Sequence, residues 1–290
     1  MSYALFVGCT VLSRLPGYEK SARNVAQRLG ITLHDMPGSS CCGTTYLETL
    51  DTQTALTLAA RNIAIAERMG LDIVTVCNGC TEVLTKANKK LKEDPELKAK
   101  INENLGEAGY EYNGSVEVKH YVKMLKEGVG LAKIRDEMMF QFKDIKIGSH
   151  YGCHMLKPSD IYQGEDPENP QVMDELVATT GAEPLDYPSK LECCAGPIMG
   201  VRENITWEVG LDKVKTIKKM GDALTTACPF CYLTFERSQL MEEESPNLAV
   251  VHIPQLLGLG LGLEPHDLGL NLNKVDSSWL KDHIEEINDE

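Results

Sequence analysis

Apolar positions along the chain follow two periods, and the two alternate. Residues 3–7 are a short apolar run that stops at Gly8-Cys9, and residues 73–76 are a β-branched run leading straight into Cys77. Between them, Ala22, Val25, Ala26 and Leu29 recur at helical spacing before Gly30, and residues 31–33 read as a strand. Leu56, Ala60, Ile63 and Ala64 mark one face of a long helix over 47–69, closed by Gly70, and residues 78–91 turn helical again. The second half predicts the same order. A strand at 145–147 leads to Cys153, a helix spans 172–180, a strand lies near Leu185, a helix spans 205–220, a strand runs to Cys228, and a helix follows Cys231. Late in each half a short apolar strand ends in histidine, at 116–120 and 248–252, before a helix around Leu125 or Leu256-Leu257. This alternation predicts an α/β protein of two duplicated strand–helix halves with largely parallel sheets, related by a pseudo-twofold axis. In such sheets ligands lie beyond the carboxyl ends of the strands, which is where Cys9, Cys77, Cys153 and Cys228 fall.

The cysteines carry the chemistry. There are ten: Cys9, Cys41, Cys42, Cys77, Cys80, Cys153, Cys193, Cys194, Cys228 and Cys231. They divide into two sets of five in the same order, a lone Cys, an adjacent pair and a CxxC. The offsets between the sets are 144 for the lone cysteine, 152 for the pair and 151 for the CxxC. Neighbours repeat as well, with Gly8-Cys9 matching Gly152-Cys153, and Cys41-Cys42-Gly43 matching Cys193-Cys194-Ala195-Gly196. This is an internal duplication. It predicts a first domain over 1–140, with a helical insertion at about 86–113, and a second over 141–290 with an acidic C-terminal tail. Residues 128–143 read as the linker, 164–170 as a Pro- and acid-rich surface loop, and a last helix is expected from Ser277.

Composition narrows the setting. Hydrophobic residues are 42% and charged residues 25%, ordinary for a folded soluble chain. No apolar run approaches a membrane span, and the first residues lack the basic region of a secretory signal, so a cytoplasmic protein is expected. The formal charge of −14 argues against a nucleic-acid partner. In a reducing compartment clustered cysteines bind metal or do redox work more often than they form disulfides. Structural zinc wants four ligands, usually as paired short-spaced motifs, whereas only one pair in each half is CxxC. A [4Fe–4S] cube takes four cysteines, so five leave either one free thiol per half or a cluster that is not a simple cube.

The segments Gly8-Cys9-Thr10, Ser39 to Gly43 (SSCCG), Cys77 to Cys80 (CNGC), Tyr151 to His154 (YGCH), Glu192 to Gly196 (ECCAG) and Cys228 to Cys231 (CPFC) resemble the CCG-domain signature. Doubled over nearly the whole of a chain this long, the pattern is similar to the B subunits of heterodisulfide reductases. The resemblance implies two non-cubane [4Fe–4S] clusters, each held by all five cysteines of one set. It implies reductive cleavage of the coenzyme M–coenzyme B disulfide, the last step of methanogenesis. It also implies a ferredoxin-like C subunit and a flavin-containing A subunit as partners, with a hydrogenase or formate dehydrogenase as electron source. Cleaving a disulfide takes two electrons, so two one-electron centres facing one S–S bond would avoid a free thiyl radical.

That substrate is anionic, so cations near the ligand segments are candidates to bind it: Arg14, Lys20, Lys157 and Arg202. His154, next to Cys153, is the candidate catalytic proton donor. His120 and His252 hold equivalent repeat positions and read as structural, while His150 ends a strand and is undecided. Gly258 to Gly262 (GLGLG) lacks the strand context of a dinucleotide fingerprint. Rival functions are a CCG-domain iron–sulfur subunit of another oxidoreductase (glycolate or lactate oxidation, or a sulfur-oxidising disulfide reductase) and a zinc-stabilised, non-catalytic relay or scaffold subunit. The glycolate and lactate subunits usually carry ferredoxin motifs, which are absent here.

Overall fold

The structure, a computed structural model, describes residues 1–161 and 165–288, the side chain of Thr45 excepted. The first half runs β1 (Ser2–Phe6), α1 (Cys9–Arg14), α2 (Pro16–Arg28), β2 (Thr32–Asp35), α3 (Thr44–Leu50), α4 (Thr52–Met69), β3 (Ile73–Thr75), α5 (Asn78–Glu93), α6 (Pro95–Glu107) and β4 (Val118–His120). It ends with α7 (Tyr121–Lys123), which continues as a π-helical turn (Met124–Val129), and α8 (Leu131–Asp136). The second half runs β5 (Lys146–His150), α9 (Cys153–Leu156), α10 (Val172–Thr179), β6 (Glu183–Leu185), α11 (Glu203–Lys218), β7 (Ala223–Thr226), α12 (Pro229–Leu240), β8 (Ala249–His252), α13 (Ile253–Gly260) and α14 (Trp279–Asn288). Each half builds a four-stranded sheet, in the order β2-β1-β3-β4 and β6-β5-β7-β8. Every pairing is parallel. The α/β reading therefore holds, and the two sheets also share a register. Phe6 pairs with Thr75 in the first sheet and His150 with Thr226 in the second, so Phe6 and His150 occupy equivalent positions.

The halves exchange contacts reciprocally. Helix α1 packs on α12 and α9 packs on α5; likewise α2 packs on α13 and α10 on α7. This is what a pseudo-twofold axis produces. Both hydrophobic cores draw on both halves: one joins Val25 and Ile134 to Leu176 and Leu256, the other joins Ile63 and Leu84 to Leu224 and Phe235.

Several helices depart from the expected bounds, and two of the departures have a plain cause. The helix expected over 47–69 is two helices, α3 and α4. Asp51 interrupts it, extended at φ −153°, and its Oδ1 accepts from the N–H groups of Gln53 and Thr54 at 3.0 and 3.1 Å. A cap of this kind starts a new helix whatever the apolar period does. Helix α12 begins at Pro229, before Cys231 rather than after it, because a proline at the first turn gives up no needed hydrogen bond. Residues 128–143 contain α8 and bury Ile134 and Phe142 completely. Helix α6 buries Ile101 and Leu105. Of the expected 164–170 loop, Gly164 lies outside the described residues. The C-terminal segment is tied to α2: Lys20 Nζ donates to His266 O at 2.7 Å and Asn24 Nδ2 to Asp267 O at 2.7 Å. No helix among the described residues is long and apolar enough to cross a membrane.

Candidate metal centre

All ten cysteines are free thiols, and the fold brings both sets of five together. Cys9 and Cys153 open α1 and α9 just past the first strand of each sheet, and Cys77 and Cys228 cap α5 and α12 just past the third. The CxxC turn then places Cys80 and Cys231 one helical turn on. In the first set the Sγ atoms of Cys9 and Cys41 lie 3.5 Å apart, and those of Cys42 and Cys80 3.4 Å apart. In the second, Cys153 and Cys193 lie 3.9 Å apart, and Cys194 lies against Cys231. Cys77 and Cys228, from different halves, stand close enough that each shifts the other's proton affinity. The two sets thus meet on the pseudo-twofold axis.

The backbone is shaped around these sulfurs. Gly8 and Gly152 have φ of +78° and +74°. A Cβ on Gly8 would lie 3.1 Å from the Cys80 sulfur, and one on Gly152 would lie 3.2 Å from the Cys231 sulfur. The Gly–Cys pair of each repeat is therefore needed for the close approach of its sulfurs. After the adjacent pairs, the Gly43 N–H points at Cys41 Sγ at 3.4 Å and the Ala195 N–H at Cys193 Sγ at 3.3 Å. Ala195 adopts the left-handed conformation, φ 59°, where the first repeat uses Gly43, so the CCAG variation keeps the turn. The crowded thiols push one another's proton affinity apart, raising seven of the ten and lowering three. Cys42 is pushed down to about 4 by Cys41 and then Cys80, Cys193 to about 2 by Cys153 and then Cys194, and Cys228 well below the usual thiol range by Cys231 and then Cys77. Thiolates are what a metal takes.

Beside the sulfurs runs a cleft lined by both halves. Its larger part, of about 920 Å³, lies against Cys9, Arg14 and Tyr46 on one side and Pro197, Phe230 and Arg237 on the other. A smaller cavity of about 40 Å³ continues past Tyr46, Pro197 and Phe230 to Cys153, His154 and Cys228. One apolar wall thus connects the two lone cysteines of the duplication.

The predicted substrate cations divide. Arg14 lines the cleft. Lys20 is turned away onto His266 and Asp267. Lys157 reaches Glu168 at 3.4 Å. Arg202 precedes α11, exposed, between the cleft residues Val201 and Glu203 without itself lining the cleft. His154 lies in the small cavity. Its Nδ1 is 3.6 Å from Glu82 Oε2, too long for a hydrogen bond but an ion-pair distance, and this buried carboxylate holds the imidazole above its usual pKa. His120 and His252 are buried: His120 Nε2 lies 3.1 Å from Ala227 O, and His252 Nδ1 lies 3.2 Å from Ser21 Oγ with its ring stacked on Tyr18.

Glu82, Arg237 and Lys213 are neighbours absent from the sequence reading, which leaves His150 undecided. Glu82 and Arg237 lie on the helices that carry the CxxC motifs, two and six residues past the second cysteine. His150 is fully buried, with ring nitrogen and sulfur atoms of His150, Cys194 and Cys231 all within 4.8 Å of one another. Lys213 is buried too, its Nζ donating to Ser189 O at 2.6 Å and Glu192 O at 2.9 Å.

Duplicated parallel sheets that gather five thiols apiece define a cysteine-rich α/β protein, and comparison with known proteins agrees. The cysteine-rich domain family (CCG) matches twice, over residues 3–85 and 147–236. The chain is 41% identical to the B subunit of the ferredoxin:CoB-CoM heterodisulfide reductase of Methanosarcina mazei, over 98% of this chain and 97% of that one. It is 30% identical to the 8-methylmenaquinol:fumarate reductase membrane anchor subunit of Wolinella succinogenes, over 96% and 98%. Its fold matches the crystal structure of a hypothetical protein from Helicobacter pylori with a TM-score of 0.76 at 18% identity, over 96% of this chain and 52% of that one. The chain belongs to the cysteine-rich domain family, in the group of heterodisulfide reductase B subunits.

Proposed function

We propose that this chain is the catalytic subunit of a heterodisulfide reductase. It cleaves the coenzyme M–coenzyme B disulfide to two thiols, the last step of methanogenesis. The observation that carries the reading is the meeting of the two cysteine sets at Cys77 and Cys228, beside one cleft that both halves line. Cys9, Cys41, Cys42, Cys77 and Cys80 would hold one iron–sulfur cluster, and Cys153, Cys193, Cys194, Cys228 and Cys231 the other, both non-cubane [4Fe–4S]. The donor set fits: ten free thiols, backbone N–H groups on sulfur, and glycines where a side chain would crowd a sulfur. Zinc would leave a surplus thiol in each half. When bound, such clusters supply electrons one at a time.

The residues of the chain do the rest. Tyr46, Pro197 and Phe230 form the wall along which a disulfide spans the distance between the lone cysteines. Arg14 and Arg237 have no carboxylate partner among the described residues, so they are available to the anionic groups of the substrate. Cleavage consumes two electrons and two protons and yields two thiols. Glu82 engages Nδ1 of His154, which leaves Nε2 to deliver a proton to a departing thiolate. Residues 1–140 and 141–290 are the two duplicated domains in this reading. The chain works in the cytoplasm beside the C and A subunits of the complex, with electrons from a hydrogenase or formate dehydrogenase.

The test is anaerobic purification followed by metal and sulfide analysis, then turnover of the disulfide with a reduced dye. About eight irons per chain, spectra altered by added thiols and release of both thiols are expected. Zinc without sulfide would sink the reading. A second reading, an iron–sulfur subunit of another oxidoreductase, is favoured by the full-length match to the fumarate reductase subunit. Iron and sulfide with no disulfide turnover would select it.

A further inference from the structure

The two cysteine sets are alike, but their surroundings are not. His150 is fully buried, and neither ring nitrogen has a hydrogen-bond partner. Phe235 holds the ring edge-on, with centroids 4.7 Å apart, so the imidazole cannot turn freely toward solvent. A buried, unpartnered polar group is costly unless something absent from the polypeptide satisfies it. The sulfurs of Cys194 and Cys231 stand within 4.8 Å of a ring nitrogen. The first repeat has Phe6 at this position in the sheet, apolar and buried.

A second difference points the same way. Asn62 in the first half and Lys213 in the second are related by the offset of 151 that relates the two CxxC motifs. Asn62 holds the loop before its adjacent cysteines through Ser40, accepting from its N–H at 2.9 Å and donating to its carbonyl at 3.2 Å. Lys213 does the same through Glu192 O, but brings a cation. The second set thus has an N–H donor and a positive charge where the first has a phenyl ring and an amide.

We propose that His150 donates a ring N–H to the cysteine sulfurs of the second set, Cys194 or Cys231, and that with Lys213 it makes the second centre the more readily reduced of the two. The proposal rests on the iron–sulfur reading above. Either protonation state of an imidazole has an N–H to give. Hydrogen bonds to ligand sulfur and nearby positive charge both favour the form carrying the extra electron. Electrons entering the pair therefore settle first beside Cys153 and His154, the side of the cleft that holds the proton donor. His150 acts through the sulfurs and is a positioning residue.

The full chain is loaded anaerobically and titrated redox-wise while its spin signals are recorded. Cys9→Ser and Cys153→Ser proteins assign each signal to its half. Pulsed spectroscopy on protein carrying ¹⁵N-histidine is expected to show one histidine nitrogen coupled to the second centre and none to the first. In His150→Phe that coupling disappears and the second potential falls with iron content unchanged; in Lys213→Asn the second potential also falls and the coupling stays. Equal potentials in the native protein, or no histidine coupling, would overturn the proposal without touching the iron–sulfur reading. Loss of half the iron in His150→Phe, with a coupling strong enough for direct ligation, would make His150 a ligand and overturn the donor role. A native chain that holds no iron overturns both.

Discussion

His120 shows what a single buried side chain does to the pH response of this fold. Burial pushes its pKa down to about 4, because the charged form would lose its water and is only partly compensated by the nearby Cys228 sulfur and the Ala227 carbonyl. His252 is pushed down for the same reason, enclosed by Tyr18 and Tyr232. A base depressed in the folded state binds fewer protons folded than unfolded. Its contribution to stability is therefore complete above pH 6.5 and is lost as pH falls toward 4. At 1.36 kcal/mol per pKa unit, His120 alone is worth about 3 kcal/mol over that window. Urea midpoints should drop steadily from pH 7 to pH 5, and His120→Asn should flatten the slope while lowering the plateau. A midpoint independent of pH in the native protein would show that these imidazoles charge without cost. At this scale the cysteines were legible because their types and spacings repeat, and Gly8 and Gly152 stood out beside them. His150 and Lys213 were not. A histidine at a strand end and a lysine on a helix look the same whether they face water or sulfur, and only aligning the two repeats residue by residue exposes Phe6 and Asn62 as their counterparts.

Elements were read from periodicity, and periodicity reports which face is buried rather than where a helix starts. The apolar stripe Leu56, Ala60, Ile63 and Ala64 lies wholly within α4, so nothing in it marks the break at Asp51. The break is written in hydrogen bonds instead: Oδ1 accepts two backbone N–H groups, and Oδ2 accepts from Thr54 Oγ1 at 2.6 Å. Replacing Asp51 with Ala leaves the first turn of α4 without its cap and lowers stability. Because α3 follows the Cys41-Cys42 loop directly, the cap also fixes how Tyr46 meets the cleft. Asp51→Ala is expected to lower the urea midpoint while iron content stays at the native level, and to raise KM more than it lowers kcat. Loss of iron on that change would mean that α3 and α4 hold the thiols rather than the wall of the cleft. The same logic explains α12. Pro229 announces a helix start, and the CxxC motif therefore lies within the first turn, where Cys77 and Cys228 cap and Cys80 and Cys231 follow.

For the molecule as a whole, the duplication predicts symmetry but not how much the halves depend on each other. Offsets of 144 to 152 fix the order of elements, and that order was legible. What spacing cannot show is that α1 leans on α12, α9 on α5, α2 on α13 and α10 on α7, each helix packing on one from the other repeat. Asn78 Nδ2 donates to Tyr151 O at 2.6 Å, His120 meets Ala227 O, and Ser21 meets His252, so buried polar groups also find their partners across the axis. Each buried Leu, Ile, Val or Phe side chain contributes roughly 1.5–3 kcal/mol, and both cores draw such side chains from both repeats. Cutting the chain at residue 140 would strip each half of a large share of its core and leave those hydrogen bonds unmade. The intact chain should therefore unfold in one cooperative transition, with calorimetric and van't Hoff enthalpies equal. Residues 1–140 expressed alone should show helical content without a cooperative melt, and mixing with 141–290 should restore one. Two separated transitions in the intact protein would mean that each repeat folds by itself. The cleft between Cys9 and Cys153 would then be an opening between independent bodies rather than part of one fold.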